Sequence, residues 1–111
     1  MTLIHIRSFT ATDHDYAAIV ALHKAIWPDR PDTVAICQRR DAVRDKQAFF
    51  QRVVVEVGQQ IVALGTASET VWLQRPGKYA IAVAVHPAYE RQGIGSALYD
   101  YLLEVLNQRP L

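Results

Sequence analysis

The sequence predicts an α+β domain, a mostly antiparallel sheet flanked by helices in the order β-α-α-β-β-β-α. Three observations predict it. The first residues alternate as a strand and hand over to a capped helical pattern; the middle carries two β-rich runs joined by a glycine turn; the end is an apolar strand, a short turn and an amphipathic helix. Antiparallel neighbours outnumber crossovers in that order.

Residues Thr2 to Phe9 place Leu3, His5, Arg7 and Phe9 on one face and Ile4, Ile6 and Ser8 on the other, the period-two pattern of a strand in which His5 is structural. Thr12 followed three positions later by Asp15 is a helix-capping pattern, and Tyr16, Ile19, Val20, His23, Ile26 and Trp27 then recur at helical spacing. The helix runs to about Trp27, where Pro28 ends it. The polar stretch WPDRPDT reads as a loop, and a second, more charged helix is expected from about Thr33 to Gln47. After Phe49 and Phe50, the run RVVVEVGQQIVALGTASET holds two strands joined by a Gly58-Gln59-Gln60 turn, hence an antiparallel hairpin. Arg75-Pro76-Gly77 marks a further turn, from which a strand returns over Tyr79 to Val85. Its AIAVAV run is apolar on both faces, the pattern of a strand buried above and below and often central in its sheet.

His86 and Pro87 break that strand, His86 reading as a turn cap. Arg91-Gln92-Gly93-Ile94-Gly95-Ser96 then opens a helix to about Leu106, with Ile94, Ala97, Leu98, Tyr101, Leu102 and Val105 as its buried face. The turn has the chemistry of an anion cradle. The first amides of a helix lack intrahelical partners, the macrodipole adds partial positive charge, and two glycines let an anion approach without meeting a Cβ. A glycine pair alone is a weak signal, since it often serves only the chain's conformation. A dinucleotide-binding turn fits poorly: Leu98 takes the third glycine's place, and the chain ends before an acidic residue about 20 positions on. No G-x-x-x-x-G-K-S/T occurs, which excludes a P-loop.

Composition narrows the function classes. The 111 residues, 50% of them hydrophobic, supply a core for one domain, and a net charge of +1 argues against general nucleic-acid binding. Basic residues thicken from Arg39 to Arg52, but Asp41 and Asp45 interleave with them, the pattern of a solvated helix face. No stretch approaches the roughly 18 consecutive apolar residues of a membrane span, and no signal-peptide pattern opens the chain, so a cytoplasmic location is expected. The single Cys37 excludes an internal disulfide and reads as a buried structural thiol rather than a nucleophile. No His/Cys/Asp/Glu cluster has metal-ligand spacing and no Ser/His/Asp pattern is indicated, so no metal is expected.

The order V-x-V-H-P-x-Y-x-R-Q-G-I-G-S-A-L, from Val83 to Leu98, resembles motif A of the GNAT (GCN5-related N-acetyltransferase) superfamily. The resemblance implies that the backbone of Val83, Ala84 and Val85 holds the pantetheine arm of acetyl-CoA. It implies that Arg91, Gln92, Gly93, Ile94, Gly95 and Ser96 bind the pyrophosphate. One departure is Glu90, where the family usually has Arg or Gln; it is expected to point away from the anion, with Arg91 offsetting its charge. The I-R-x-F-x-x-x-D opening and the helix ending in WP also look like a GNAT start, whose helix–helix connection lines the acceptor site. In that reading Asp29, Arg30 and Asp32 meet a substrate; otherwise they are plain loop residues.

The implied activity is an acetyl-CoA-dependent N-acetyltransferase acting on a small-molecule or peptide amine. A neutral amine attacks the thioester, a carboxylate or ordered water takes its proton, and a strand amide steadies the oxyanion. Glu56 and Glu69 are the strand carboxylates to be tested as bases. The family's leaving-group tyrosine belongs to a segment that would follow Leu111, so that role falls on none of Tyr79, Tyr89, Tyr99 and Tyr101. The alternatives are a CoA-binding domain without catalysis and an interaction domain that binds no nucleotide. The single domain over 1–111 corresponds to the first two thirds of the GNAT fold, without its C-terminal strands and helix. The expectation is therefore a homo-oligomer or a piece of a longer chain that covers the edge of AIAVAV.

Overall fold

The computed structural model describes residues 4–30, 32–44, 48–69 and 79–108. In chain order its elements are β1 (Ile4–Ser8), α1 (Asp13–Ile26), α2 (Val34–Ala42), β2 (Phe50–Val57), β3 (Gln60–Glu69), β4 (Tyr79–Val85), a single 3₁₀ turn (Pro87–Tyr89) and α3 (Ile94–Asn107). The strands form one sheet in the order β1-β2-β3-β4, antiparallel at each step. The α+β order read from the sequence is the order observed. The expected turn at Arg75-Pro76-Gly77 lies outside the described residues.

Strand alternation divides the core between two faces. Val54 points to one side, where Tyr16, Ile19 and Leu22 of α1, Cys37 of α2 and Leu64 of β3 enclose it. Val53 and Val55 point to the other, against Ala67 and the Ile94, Leu98 and Leu102 stripe of α3. Each such fully buried aliphatic side chain stabilises the fold by about 1.5–3 kcal/mol. A bulge breaks the β2–β3 register: Val55 faces Ala63 and Glu56 faces Ile61, so Val62 is the extra residue. Its carbonyl accepts a hydrogen bond from His86 N at 2.8 Å, which fixes where the chain leaves β4 for the turn.

Three sequence expectations are corrected. The second helix is shorter than Thr33–Gln47: Thr33 caps α2 through its side chain, and the helix stops at Ala42 because Val43, highly exposed, does not continue a buried face. Tyr101 is exposed rather than part of the apolar face of α3, whose buried side chains recur every fourth residue at Ile94, Leu98 and Leu102. The apolar AIAVAV strand is not central. β4 pairs only with β3 among the described residues, and its side chains are half-buried or exposed, because Ala82 and Ala84 are small and line an open cavity instead of meeting a covering layer.

α3 lies very close to the sheet at Gly65. A Cβ placed there would come within 2.7 Å of Leu102 Cδ1 and 2.9 Å of Leu98 Cγ. Gly65→Ala is therefore expected to destabilise the fold by about 1–3 kcal/mol through overpacking, read as a fall in the urea midpoint. An unchanged midpoint would show that α3 shifts freely on the sheet.

Among the described residues no helix is long and apolar enough to cross a membrane.

Candidate active site

Two hollows meet at β4. The first lies over the turn between β4 and α3 and measures about 390 Å³, lined by Val83, Val85, Tyr89, Glu90, Arg91, Gly93, Gly95 and Ser96. The second, of about 420 Å³, lies between β4 and the α1–α2 layer; Ala82, Val83 and Ala84 form one wall, and His23, Trp27, Arg30, Cys37 and Arg40 stand in the others. Val83 lines both.

The backbone at the first hollow is built for an anion. Arg91 has φ 64° and Gly93 φ 81°, two left-handed residues with Gln92 between them, in a turn that can aim its amides toward a concavity. For a residue with a side chain such as Arg91 that conformation costs about 1–2 kcal/mol, so it marks a place where the chain is held for a purpose. Gly93 is the N-cap and offers no side-chain cap. The first helical bond runs from Ala97 N to Gly93 O at 3.0 Å, which leaves the N–H groups of Ile94, Gly95 and Ser96 without an intrahelical acceptor at the positive end of the dipole. His86 sets the approach as the sequence suggested: its Nδ1 accepts from Ala88 N at 3.0 Å. Glu90 is exposed and stands among the residues that line the hollow.

The second hollow is polar on the α1–α2 side. Asp32, in the connection between the helices, is buried at 3% exposure. Its carboxylate receives His23 Nδ1 at 2.8 Å, Arg30 Nε at 3.1 Å and Arg40 at 3.4 Å. Burial works to raise the Asp32 carboxyl, but the His23 hydrogen bond and the Arg30 charge outweigh it and hold it below the ordinary value. Burial lowers His23, against the opposing pull of Asp32. Burial raises the Cys37 thiol, with the Asp32 charge adding to the effect. Donor atoms of His23, Asp32 and Cys37 lie within 4.8 Å of one another. The trio has the chemistry of metal ligands, yet the shared carboxylate is already engaged by two guanidinium groups, whose charge opposes a cation. Sequence reasoning missed this cluster, because its members come from α1, the connection and α2 and show no motif spacing.

A second polar knot braces the same wall. Asp41 accepts from Tyr16 Oη at 2.5 Å, from both terminal nitrogens of Arg52 at 3.0 Å and from Arg44. Burial would raise the Asp41 carboxyl; the bonds from Arg52 and Tyr16 outweigh it and hold it at about 2.

The two strand carboxylates sit elsewhere. Glu56 pairs with Arg7, which also binds Asp15. Glu69 accepts from Phe49 N at 3.2 Å. Neither is among the residues lining the two hollows. Of the residues singled out at the turn, Val83, Val85, Arg91, Gly93, Gly95 and Ser96 come together around the first hollow; Ala84 lines the second, Gln92 is exposed and lines neither, and Ile94, the first residue of α3, is buried against the sheet.

An antiparallel sheet with helices on both faces, and an uncapped helix start beside an open strand, define an acyl-CoA N-acyltransferase fold. Residues 11–111 match the model of the acetyltransferase (GNAT) family. The chain belongs to that family. Among solved structures it is similar to the ribosomal-protein-S18-alanine N-acetyltransferase of Escherichia coli, at 18% identity and a TM-score of 0.67 over 96% of this chain and 61% of that one. It is similar to a GNAT family acetyltransferase from Brucella melitensis in complex with acetyl-CoA, at 25% identity and a TM-score of 0.65 over 96% and 70%. An aminoglycoside acetyltransferase from an uncultured soil metagenomic sample, in complex with sisomicin, matches at 16% identity and a TM-score of 0.70 over 95% and 70%. The chain thus spans less than two thirds of the length of the first of these. No curated protein matches it significantly in sequence.

Proposed function

We propose that the chain carries the cofactor-binding part of an acetyl-CoA-dependent N-acetyltransferase whose acceptor is an amine. One observation carries the reading: left-handed residues at Arg91 and Gly93 lead into an uncapped helix start, and the hollow above them meets a second cavity along β4. In this reading the amides from Gln92 to Ser96 bind the pyrophosphate, with Arg91 adding charge. The pantetheine arm follows Val83 to Val85, whose outer strand edge offers main-chain groups to it. The thioester then reaches the cavity walled by Ala82 to Ala84, and the acceptor amine enters from the side of Trp27 and Arg30. The buried thiol of Cys37 suits a reducing, cytoplasmic setting.

Two measurements test this. CoA at about 100 times its Kd should stabilise the chain by about 2.7 kcal/mol in thermal melts. Turnover of acetyl-CoA with a panel of primary amines then separates an enzyme from a CoA-binding domain. A melt unmoved by millimolar CoA would overturn the reading.

Glu90 gives a graded check. The residue lies at the hollow and is exposed, so solvent screens its charge; Glu90→Arg should tighten CoA binding severalfold, less at high salt. Weaker binding by calorimetry would show that Glu90 holds the turn instead. For the strand carboxylates the reading assigns bracing: Glu56→Gln and Glu69→Gln should leave kcat within about threefold, the first lowering stability through its bond to Arg7.

A further inference from the structure

The wall of the second cavity contains a histidine whose environment exceeds what packing requires. His23 is nearly buried, lines the cavity, and has its Nδ1 2.8 Å from Asp32 Oδ2. Asp32 is itself buried and faces Arg30 and Arg40, so its carboxylate is ionised and can only accept. Nδ1 must therefore carry the proton and donate it, which leaves Nε2 as the proton acceptor of a ring whose residue lines the cavity. Across that cavity stand Ala82, Val83 and Ala84 of β4.

We propose that His23 is the proton acceptor for the amine in the acetyl transfer, and that Asp32 is a positioning residue that fixes its tautomer. The proposal rests on the reading given under Proposed function, which puts the thioester along β4. The bound ammonium gives one proton to Nε2, and the free amine attacks the thioester carbon. As the C–N bond forms and the C–S bond breaks, the second N–H proton passes to the departing thiolate sulfur. The imidazolium then returns its proton to water, so amide, free CoA thiol and one released proton balance the reaction. Burial of the ring lowers His23 against the pull of Asp32, with the charges of Arg30 and Arg40 adding to the effect, and so favours the neutral imidazole that a base must be. The titratable and charged groups around the ring and its cavity are Arg30 and Asp32 of the connection, Cys37, Arg40 and Asp41 of α2, and Arg52 of β2; Arg52 is paired with Asp41, which also binds Arg44.

The test uses the chain with acetyl-CoA and its best amine. The parent should show a kcat/KM that rises with pH through a midpoint below about 6.5, the ordinary histidine value. His23→Gln should lower kcat by about 10²–10⁴-fold, abolish that acid limb and leave CoA affinity within about twofold. Asp32→Asn should lower kcat and move the acid limb to lower pH, since the imidazolium loses its partner. His23→Ala, checked as folded by circular dichroism, should regain activity with added imidazole. A His23→Gln variant that keeps the acid limb with kcat within about threefold overturns the proposal while leaving the proposed function intact. So does parent activity that is abolished by a chelator and restored by Zn²⁺, which would make His23, Asp32 and Cys37 a metal site. A parent that binds no CoA overturns the proposed function, and this inference with it.

Discussion

Gly95→Glu is expected to abolish CoA binding while leaving the fold in place. A Cβ at Gly95 meets Val85 Cγ2 at 3.5 Å and Val83 Cγ1 at 3.9 Å, ordinary contacts, so the position tolerates a side chain sterically. What it does not tolerate is a carboxylate among amides aimed at a pyrophosphate. At an effective dielectric of about 20, two like charges about 4 Å apart repel by about 4 kcal/mol, and each 1.4 kcal/mol is about tenfold in affinity. Calorimetry should record a loss of about a hundredfold or more. Gly95→Ala should bind nearly as well as the parent, and Gly95→Gln should fall between, separating bulk from charge. Gly93 behaves differently. Nothing lies within 4 Å of its Cβ position, but its φ of 81° strains any side chain, so Gly93→Ala loses about 1 kcal/mol of stability and Gly93→Asp loses binding as well. A Gly95→Glu protein that binds CoA as tightly as the parent would remove the cradle from the account.

Asp15→Ala is expected to cost more stability than any surface substitution in the chain. The Asp15 carboxylate is buried at 1% exposure, takes both terminal nitrogens of Arg7 at 2.8 Å, and accepts from Thr10 N at 2.9 Å and Thr10 Oγ1 at 2.8 Å. It ties β1 to the start of α1, while Thr12 caps the helix by accepting from Asp15 N at 3.2 Å. Removing one member of such a pair typically costs about 3–5 kcal/mol, because the other charge keeps its desolvation without its partner. Arg7 retains Glu56 and some solvent, which places the expected loss near about 3 kcal/mol, or roughly 12 °C in Tm. Arg7→Met combined with Asp15→Ala should recover part of it. The Arg7 hydrogen bond depresses the Asp15 pKa far below the ordinary carboxylate range, outweighing burial. Its contribution is therefore complete above the unfolded value of about 3.9 and is lost as pH falls below it. Asp41, held at about 2, adds an acid loss of the same sign. Asp15→Ala should accordingly flatten the acid limb of the stability curve. An unchanged limb in urea melts between pH 2 and pH 5 would deny the linkage.

The sequence by itself determined the order of elements, the hairpin at Gly58, the cap at Thr12 and the turn at Gly93, because each is written in neighbouring residues. Alternation, helical spacing, a cap side chain and a glycine pair act over a few positions, and no distant contact can reverse them cheaply. The strand, turn and helix start from Val83 to Ser96, on which the cofactor proposal rests, were legible for the same reason, since they are one continuous stretch of chain.

Tertiary structure decided what depends on separated segments. The length of α2 follows from which side chains find the core, and Val43 finds none. Tyr101 shared the helical spacing of the buried face of α3, but the close approach of that helix at Gly65 selects Ile94, Leu98 and Leu102 instead. Glu56 looked like any strand carboxylate until β1 brought Arg7 beside it. His23, Asp32 and Cys37 carried no sequence signal as a group; only the packing of α1 against α2 sets them within 4.8 Å and turns a loop aspartate into a buried charge. Local patterns fix backbone conformation, whereas the partners of a charged side chain are set by burial across the sheet, where desolvation makes one pairing far better than the rest.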